Sequence, residues 1–206
     1  MTNMLAITIS STHYYLLNCA GGKLMVDTGW AGSLPELSGE LKRYKVQLCE
    51  IRYVMITHHH PDHAGLTQEI KDACGAKLVV HEAQIPYLKN LAAFYQEKSK
   101  GAYLPIRVEK DDIILPSSNR EVLRSIGIAG EALVTPGHSD DSISLVLDNG
   151  MAFTGDLTLP LMASEENEAV LRESWSRILA LNPETIYPAH GNLVLAEQMR
   201  GFLGAG

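Results

Sequence analysis

The chain has 206 residues, 46% hydrophobic and 20% charged, which suits a single domain with a sizeable buried core and excludes a disordered chain. Its formal net charge is −7 and its Lys and Arg residues form no large cluster, which disfavours nucleic acid or another polyanion as partner. Three cysteines at irregular spacing, Cys19, Cys49 and Cys74, argue against a disulfide framework or a thiolate zinc site, and fit small buried residues in a reducing compartment.

The opening run Ala6-Ile7-Thr8-Ile9 alternates like a strand and has no basic segment before it, so it does not read as a signal peptide. No apolar run is long enough to span a bilayer. The expectation is therefore a cytoplasmic protein with no membrane partner. Strands are expected at about residues 4–9, 13–18 and 23–27, separated by Ser10-Ser11 and Gly21-Gly22. The last of them ends at Asp27-Thr28-Gly29. Leu34, Leu37, Leu41 and Tyr44 then recur at helical spacing. Tyr53–Thr57 reads as a short buried strand that stops at a histidine cluster. Beyond it, Leu66, Ile70 and Ala73 mark a helix that Gly75 can end, and Lys77–Val80 reads as a strand.

Residues 84–104 read as a helical or loop insert rich in Tyr and Phe, expected to form a substrate wall, a core helix or a homodimer contact. Short strands are expected near residues 106–108, 112–115, 121–126 and 131–135. Ile143–Leu147 and Met151–Thr154 suit a hairpin, because Asn149-Gly150 is favoured turn chemistry. A helix over about 165–181, a strand at Thr185–Tyr187 and a helix from about 193 complete the chain. A weak internal echo is present. A strand runs into an acidic turn at Met25–Gly29 and at Ala152–Asp156, and a strand runs into histidine at Tyr53–His58 and at Thr185–His190.

The chemistry concentrates in Thr57-His58-His59-His60-Pro61-Asp62-His63. At a strand end, His58 and His60 point to the same side. Pro61 holds His60 extended and suits the first turn of a helix, from which Asp62 and His63 project at another angle. A lone histidine is most often a packed or solvated side chain; four ligand-capable groups converging from a strand end and a helix start are not. Three later signals place a metal-capable residue beside Gly or Pro: Gly137-His138, Gly155-Asp156 and Pro188-Ala189-His190-Gly191. His59 alternates away from its neighbours and is expected to pack behind the cluster. His13 and His81 lie outside any motif, and Asp140 and Asp141 read as turn or cap residues. Imidazole and carboxylate donors without thiolate suit Zn²⁺, with Mn²⁺ or Fe as alternatives.

These residues resemble the metallo-β-lactamase superfamily, specifically its binuclear, glyoxalase II-like and lactonase-like branch. The pattern His-x-His-x-Asp-His falls on His58, His60, Asp62 and His63, and the later ligand motifs fall on His138, Asp156 and His190. The early Asp-Thr-Gly falls on Asp27-Thr28-Gly29. The resemblance implies an α/β fold, a four-layer αββα sandwich of two mixed sheets flanked by helices, spanning residues 1–206 as one domain. It implies one cation on His58, His60 and His138, and a second on Asp62, His63 and His190. Asp156 would bridge them, and Asp27 would orient a ligand histidine. Two cations about 3.5–4 Å apart can share a hydroxide and polarise a scissile oxygen, with Asp62 orienting the hydroxide or moving a proton.

The implied function is hydrolysis of an ester, thioester or lactone bond in a small-molecule substrate. Several family members differ from this chain. Glutathione-thioester hydrolases carry a basic C-terminal extension, secreted β-lactamases an export signal, and RNA-processing members an RNA-gripping arm. Flavin-partnered diiron members put Glu where His60 stands. The alternatives are an iron-dependent sulfur dioxygenase using the first site alone, a phosphodiesterase, and a non-catalytic metal-binding module. Retention of His63 and His190 argues against the dioxygenase, and the complete ligand set argues against the module. Besides the insert, the apolar residues around Leu159–Ala163 are expected to line the substrate site.

Overall fold

The computed structural model describes residues 4–98, 103–162 and 164–204. In chain order the elements are β1 (Met4–Ile9), β2 (Thr12–Cys19), β3 (Gly22–Val26), α1 (Leu34–Arg43), β4 (Ile51–Met55), α2 (Pro61–Ala64), α3 (Thr67–Cys74), β5 (Lys77–His81) and α4 (Leu88–Lys98). They continue with β6 (Ile113–Leu115), α5 (Arg120–Ser125), β7 (Gly130–Val134), β8 (Ile143–Leu147), β9 (Met151–Gly155), α6 (Glu168–Ala180), β10 (Thr185–Pro188), β11 (Val194–Leu195) and α7 (Ala196–Gly204). They form a six-stranded sheet, β1-β2-β3-β4-β5-β6, and a five-stranded sheet, β11-β10-β9-β8-β7. Both sheets are mixed. In the first, β1, β2 and β3 pair antiparallel while β3, β4, β5 and β6 run parallel. In the second, only β9 and β10 pair parallel.

The period of two in the strands builds the layers. Along β2, Tyr14 and Leu16 face one core, while Tyr15 and Leu17 face another. Along β4 and just beyond, Val54 and Ile56 face the first core and Met55 the second. The first core lies between the larger sheet and Leu37, Leu41, Ile70 and Leu91 of α1, α3 and α4. The second fills the space between the sheets, where Leu24 and Val26 meet Leu145, Leu147 and Phe153. The third packs Val146, Ala152 and Ile186 against Leu171, Trp175 and Ile178 of α6. Helices, sheet, sheet and helices thus make the expected αββα sandwich. Among the described residues, no helix is long and apolar enough to cross a membrane.

Three local expectations change. Residues 120–125 form a helix and not a strand, because Leu123 and Ile126, three apart, are the residues buried there. Residues 106–108 form no strand; the Arg107 backbone N–H donates to the Gln68 side chain instead of to a sheet neighbour. The short strand β11 precedes the last helix. The three cysteines are free, as expected, but Cys49 is exposed and Cys19 and Cys74 are half-buried. In the insert, Leu91 and Tyr95 of α4 are buried in the first core; residues 99–102 lie outside the described residues.

Candidate metal centre

The cluster forms where parallel strands end. Asp27 follows β3 and His58 follows β4 in one sheet, and Asp156 follows β9 and His190 follows β10 in the other. His138 comes from the loop between β7 and β8. His60 is extended (φ −90°, ψ 155°) directly before α2, and Pro61 opens that helix, so Asp62 and His63 project from its first turn. The internal echo has a spatial counterpart: in each sheet the strand with the acidic turn lies parallel beside the strand that runs into histidine.

Seven sequence-predicted residues meet here. The ligand-capable atoms of His58, His60 and His138 lie within 4.8 Å of one another, and so do those of Asp62, His63 and His190. Between the two sets, Asp156 Oδ2 is 3.3 Å from His63 Nε2, 3.6 Å from His138 Nε2, 3.6 Å from His190 Nε2 and 3.9 Å from His58 Nε2. Among the described residues, the buried side-chain atoms without a hydrogen-bond partner include His58 Nε2, His63 Nε2 and Asp156 Oδ1. Orphaned buried polar atoms are costly, and these three belong to imidazole and carboxylate groups that suit a metal. The residues therefore fit divalent cations.

The surroundings orient these donors. His63 is fully buried, and its Nδ1 lies 2.9 Å from Asp27 Oδ2. Asp27 Oδ1 in turn accepts from the Thr57 backbone N–H at 2.8 Å. With its Nδ1 proton committed to Asp27, His63 turns the Nε2 lone pair inward. The Thr28 N–H and hydroxyl both donate to the His63 carbonyl, so Asp27-Thr28-Gly29 wraps the α2 turn. His190 Nδ1 donates to the Ser11 carbonyl at 2.7 Å, and its Nε2 lies 3.1 Å from Asp62 Oδ2. Thr12 Oγ1 also donates to Asp62 Oδ2, at 3.2 Å. Gly155 has φ 56°, and a Cβ there would collide with the Thr57 hydroxyl. Glycine thus lets Asp156 approach the strand end that carries His58.

Charge balance supports the same reading. Burial and the neighbouring histidines hold the His58 pKa well below the ordinary histidine value, so its lone pair is available. Burial also lowers His138, against the pull of Asp156. Burial alone would lower His63 too, but Asp27 and Asp156 outweigh it and push its pKa up to about 10. Asp156 is held below the usual carboxylate range because His63, His190 and His138 outweigh its burial. Carboxylates that favour a proton at His63 Nε2 also favour a metal cation there.

His59 is not part of either donor set. It is buried, and both its backbone N–H (2.8 Å) and Nδ1 (2.7 Å) contact Asp141 Oδ2. Asp141 thus holds the loop behind the cluster and is more than a turn residue. His13 also has a role that its sequence context does not signal: it reaches 178 positions along the chain to the Gly191 carbonyl (Nε2–O, 2.8 Å), beside His190. His81 accepts the Ala83 N–H at the start of the insert. Two cavities open at the cluster. One, of about 470 Å³, is lined by apolar residues of the segments after β9 and β10, with His138, Asp156 and His190 in its wall. The other, of about 450 Å³, is lined by His59, His60, His138 and residues of α4.

The four-layer sandwich thus carries a cluster of imidazole and carboxylate donors on its edge. The model of the Metallo-beta-lactamase superfamily matches residues 7–190, and the chain belongs to that superfamily. It is 26% identical over 199 residues to the beta-lactamase-like protein 2 homolog of Drosophila melanogaster, covering 93% of this chain and 62% of that protein. It is 28% identical over 130 residues to a hydroxyacylglutathione hydrolase of Rhodopseudomonas palustris, covering 62% of this chain and 42% of that one. Its fold is similar to BJP-1, a subclass B3 metallo-beta-lactamase of Bradyrhizobium japonicum, with a TM-score of 0.73 at 18% identity, over 100% of this chain and 88% of that chain. The chain spans about three fifths of the length of the fly, nematode and Bacillus subtilis relatives it matches.

Proposed function

We propose that the chain is a binuclear hydrolase that adds water across the carbonyl of a small ester, thioester or lactone. The reading rests on one observation above all: two three-residue donor sets, His58/His60/His138 and Asp62/His63/His190, with the Asp156 carboxylate between them. His58, His60 and His138 would hold one cation and Asp62, His63 and His190 the other, with Asp156 shared. The absence of thiolate favours Zn²⁺ over softer-site metals, with Mn²⁺ or Fe as alternatives. Bound there, two divalent cations supply Lewis acidity toward the substrate oxygen and bring the pKa of a shared water toward neutrality.

The chain's own residues do the rest. Asp27 keeps the His63 proton on Nδ1, and Ser11 does the same for His190, so both Nε2 lone pairs stay turned inward. Asp62 Oδ2, steadied by Thr12 Oγ1, is the carboxylate oxygen that orients the attacking water and accepts its proton. The cavity beside Asp156 and His190 offers an apolar wall to one side of the reacting carbonyl. A thioester-cleaving relative, the hydroxyacylglutathione hydrolase, supports the bond class.

The test is elemental analysis of protein loaded with Zn²⁺, paired with a screen of thioesters, lactones and phosphodiesters. Two metals per chain and metal-dependent cleavage of a carbonyl ester or thioester are expected. One metal per chain, unchanged in His190→Ala, would refute the binuclear reading in favour of a mononuclear iron site.

A further inference from the structure

The two cavities differ in kind, and His138 lines both of them. The first is walled by Leu157, Leu159, Met162, Trp175, Ile186 and Val194. Its wall is fixed: Trp175 is fully buried, and its indole N–H donates to the Thr158 carbonyl at 2.9 Å. Leu161 and Leu193, next to the lining Met162 and near Val194, are 70% and 59% exposed and extend this apolar surface outward. The second cavity is lined by His59, Asn90, Ser139, Asp140 and Asp141, with Tyr87 and Phe94. Among the described residues, neither cavity is lined by a Lys or Arg.

Resting on the hydrolase reading, the geometry points to an amphiphilic substrate that straddles His138. Its apolar half occupies the cavity beside Trp175, and its polar half, which carries no negative charge, occupies the cavity beside Asp140 and Asp141. Burying an apolar group against Leu, Met, Trp and Val is favourable in proportion to its area. An anionic group in the second cavity would meet two aspartates and no Lys or Arg; of its histidines, His59 is turned to Asp141 and His60 and His138 belong to the donor set, so like-charge repulsion opposes the anion. Nucleotide-bearing thioesters and phosphodiesters are therefore poor occupants, and neutral or cationic esters and thioesters are good ones.

Two probe series test this on the metal-loaded protein. The first is N-acetylcysteamine thioesters with acyl chains of two to six carbons. The second holds the acyl chain at four carbons and varies the thiol among thiocholine, N-acetylcysteamine and 3-mercaptopropionate. Matching non-hydrolysable thioethers are measured by calorimetry, so binding is read independently of turnover. Both kcat/KM and thioether affinity should rise roughly three- to fourfold per buried methylene. The anionic thiol should be disfavoured by about tenfold against the other two.

Met162 is 74% exposed, so Met162→Glu should fold, and it should flatten the chain-length series. Val108→Glu, at another surface, should leave the series as in the parent. Asp140→Lys should narrow the penalty on the anionic thiol. A flat chain-length series in both turnover and binding, or equal or tighter binding of the anionic thioether, overturns the inference. Chain-length-dependent binding without hydrolysis of any probe would support the two-cavity assignment and refute the hydrolase reading.

Discussion

Asp27→Asn is the sharpest test of how the second donor set is kept ready. Asp27 is 1% exposed: Oδ2 faces His63 Nδ1 at 2.9 Å, Oδ1 accepts the Thr57 N–H at 2.8 Å, and the Thr57 hydroxyl lies 3.0 Å from Oδ1 and 2.9 Å from Oδ2. Asparagine has the same shape but offers one acceptor and one donor. If its oxygen stays with Thr57, its NH₂ meets His63 Nδ1, and His63 must move its proton to Nε2. That removes the lone pair that faces Asp62 and Asp156. If the amide flips, the buried Thr57 N–H is left facing a donor. Leaving a buried group unsatisfied costs about 1–3 kcal/mol, and 1.4 kcal/mol is a factor of ten in affinity.

Either orientation therefore predicts a roughly 10–100-fold loss of affinity at the Asp62/His63/His190 set, the range that removal of a ligand-orienting partner usually produces. The His58/His60/His138 set should keep its affinity. Competition titration with a chromophoric chelator separates the two sites, and circular dichroism checks that the variant is folded. Parent-like affinity at both sites in a folded Asp27→Asn protein would refute the role given to Asp27.

Asp62→Asn should keep the three-histidine set loaded and lose at least about a hundredfold in turnover, measured as kcat on the best substrate of the screen. The raised His63 pKa makes the second set sensitive to pH. In the metal-free protein His63 holds a proton up to about pH 10, so a cation at Nε2 must displace it. Second-site affinity should thus climb about tenfold per pH unit between pH 7 and 9. Calorimetry in buffers of different ionisation enthalpy should show about one proton released at that site, and pH-independent affinity there would sink the assignment. Gly155→Ala puts a Cβ against Thr57 at φ 56° and should destabilise the protein by about 1–3 kcal/mol in urea unfolding, with loss of metal.

Much of this centre is readable in one dimension because four of its donors are packed into six positions. His58, His60, Asp62 and His63 need only a strand end and a Pro-started helix turn to converge, and both are local. His138, Asp156 and His190 stand out because each sits beside Gly or Pro at a strand end. The strands were legible from residue type and turn chemistry, but their stacking into layers came only from the family resemblance. The supports of the cluster were not legible. His59 meets Asp141 across 82 positions, and His13 meets Gly191 across 178, contacts that only tertiary folding makes adjacent. The strand expected near 121–126 is a helix, because burial at Leu123 and Ile126 follows a helical spacing. The insert at 84–104 reads in sequence as a substrate wall, a core helix or a dimer contact, and its described residues divide between core and cavity. Leu91 and Tyr95 pack inward while Asn90 and Phe94 line a cavity.

Neither donor set belongs to one sheet. His58 and His60 follow β4 of the larger sheet, while His138 precedes β8 of the smaller; Asp62 and His63 follow β4, while His190 follows β10. An ion held by either set would thus be a clasp across the rim of the sandwich, joining two layers that also meet through single hydrogen bonds, such as Tyr15 to the Pro188 carbonyl and His13 to the Ala189 carbonyl, and through the non-directional packing of Tyr15, Val26, Leu145 and Phe153. Such packing tolerates small sliding of one layer on the other; a coordinated ion does not. At a free concentration one hundred times its dissociation constant, a single bound ion favours the clasped form by about 2.7 kcal/mol. On the proposed reading, ion supply would therefore set how firmly the rim holds the two layers in register.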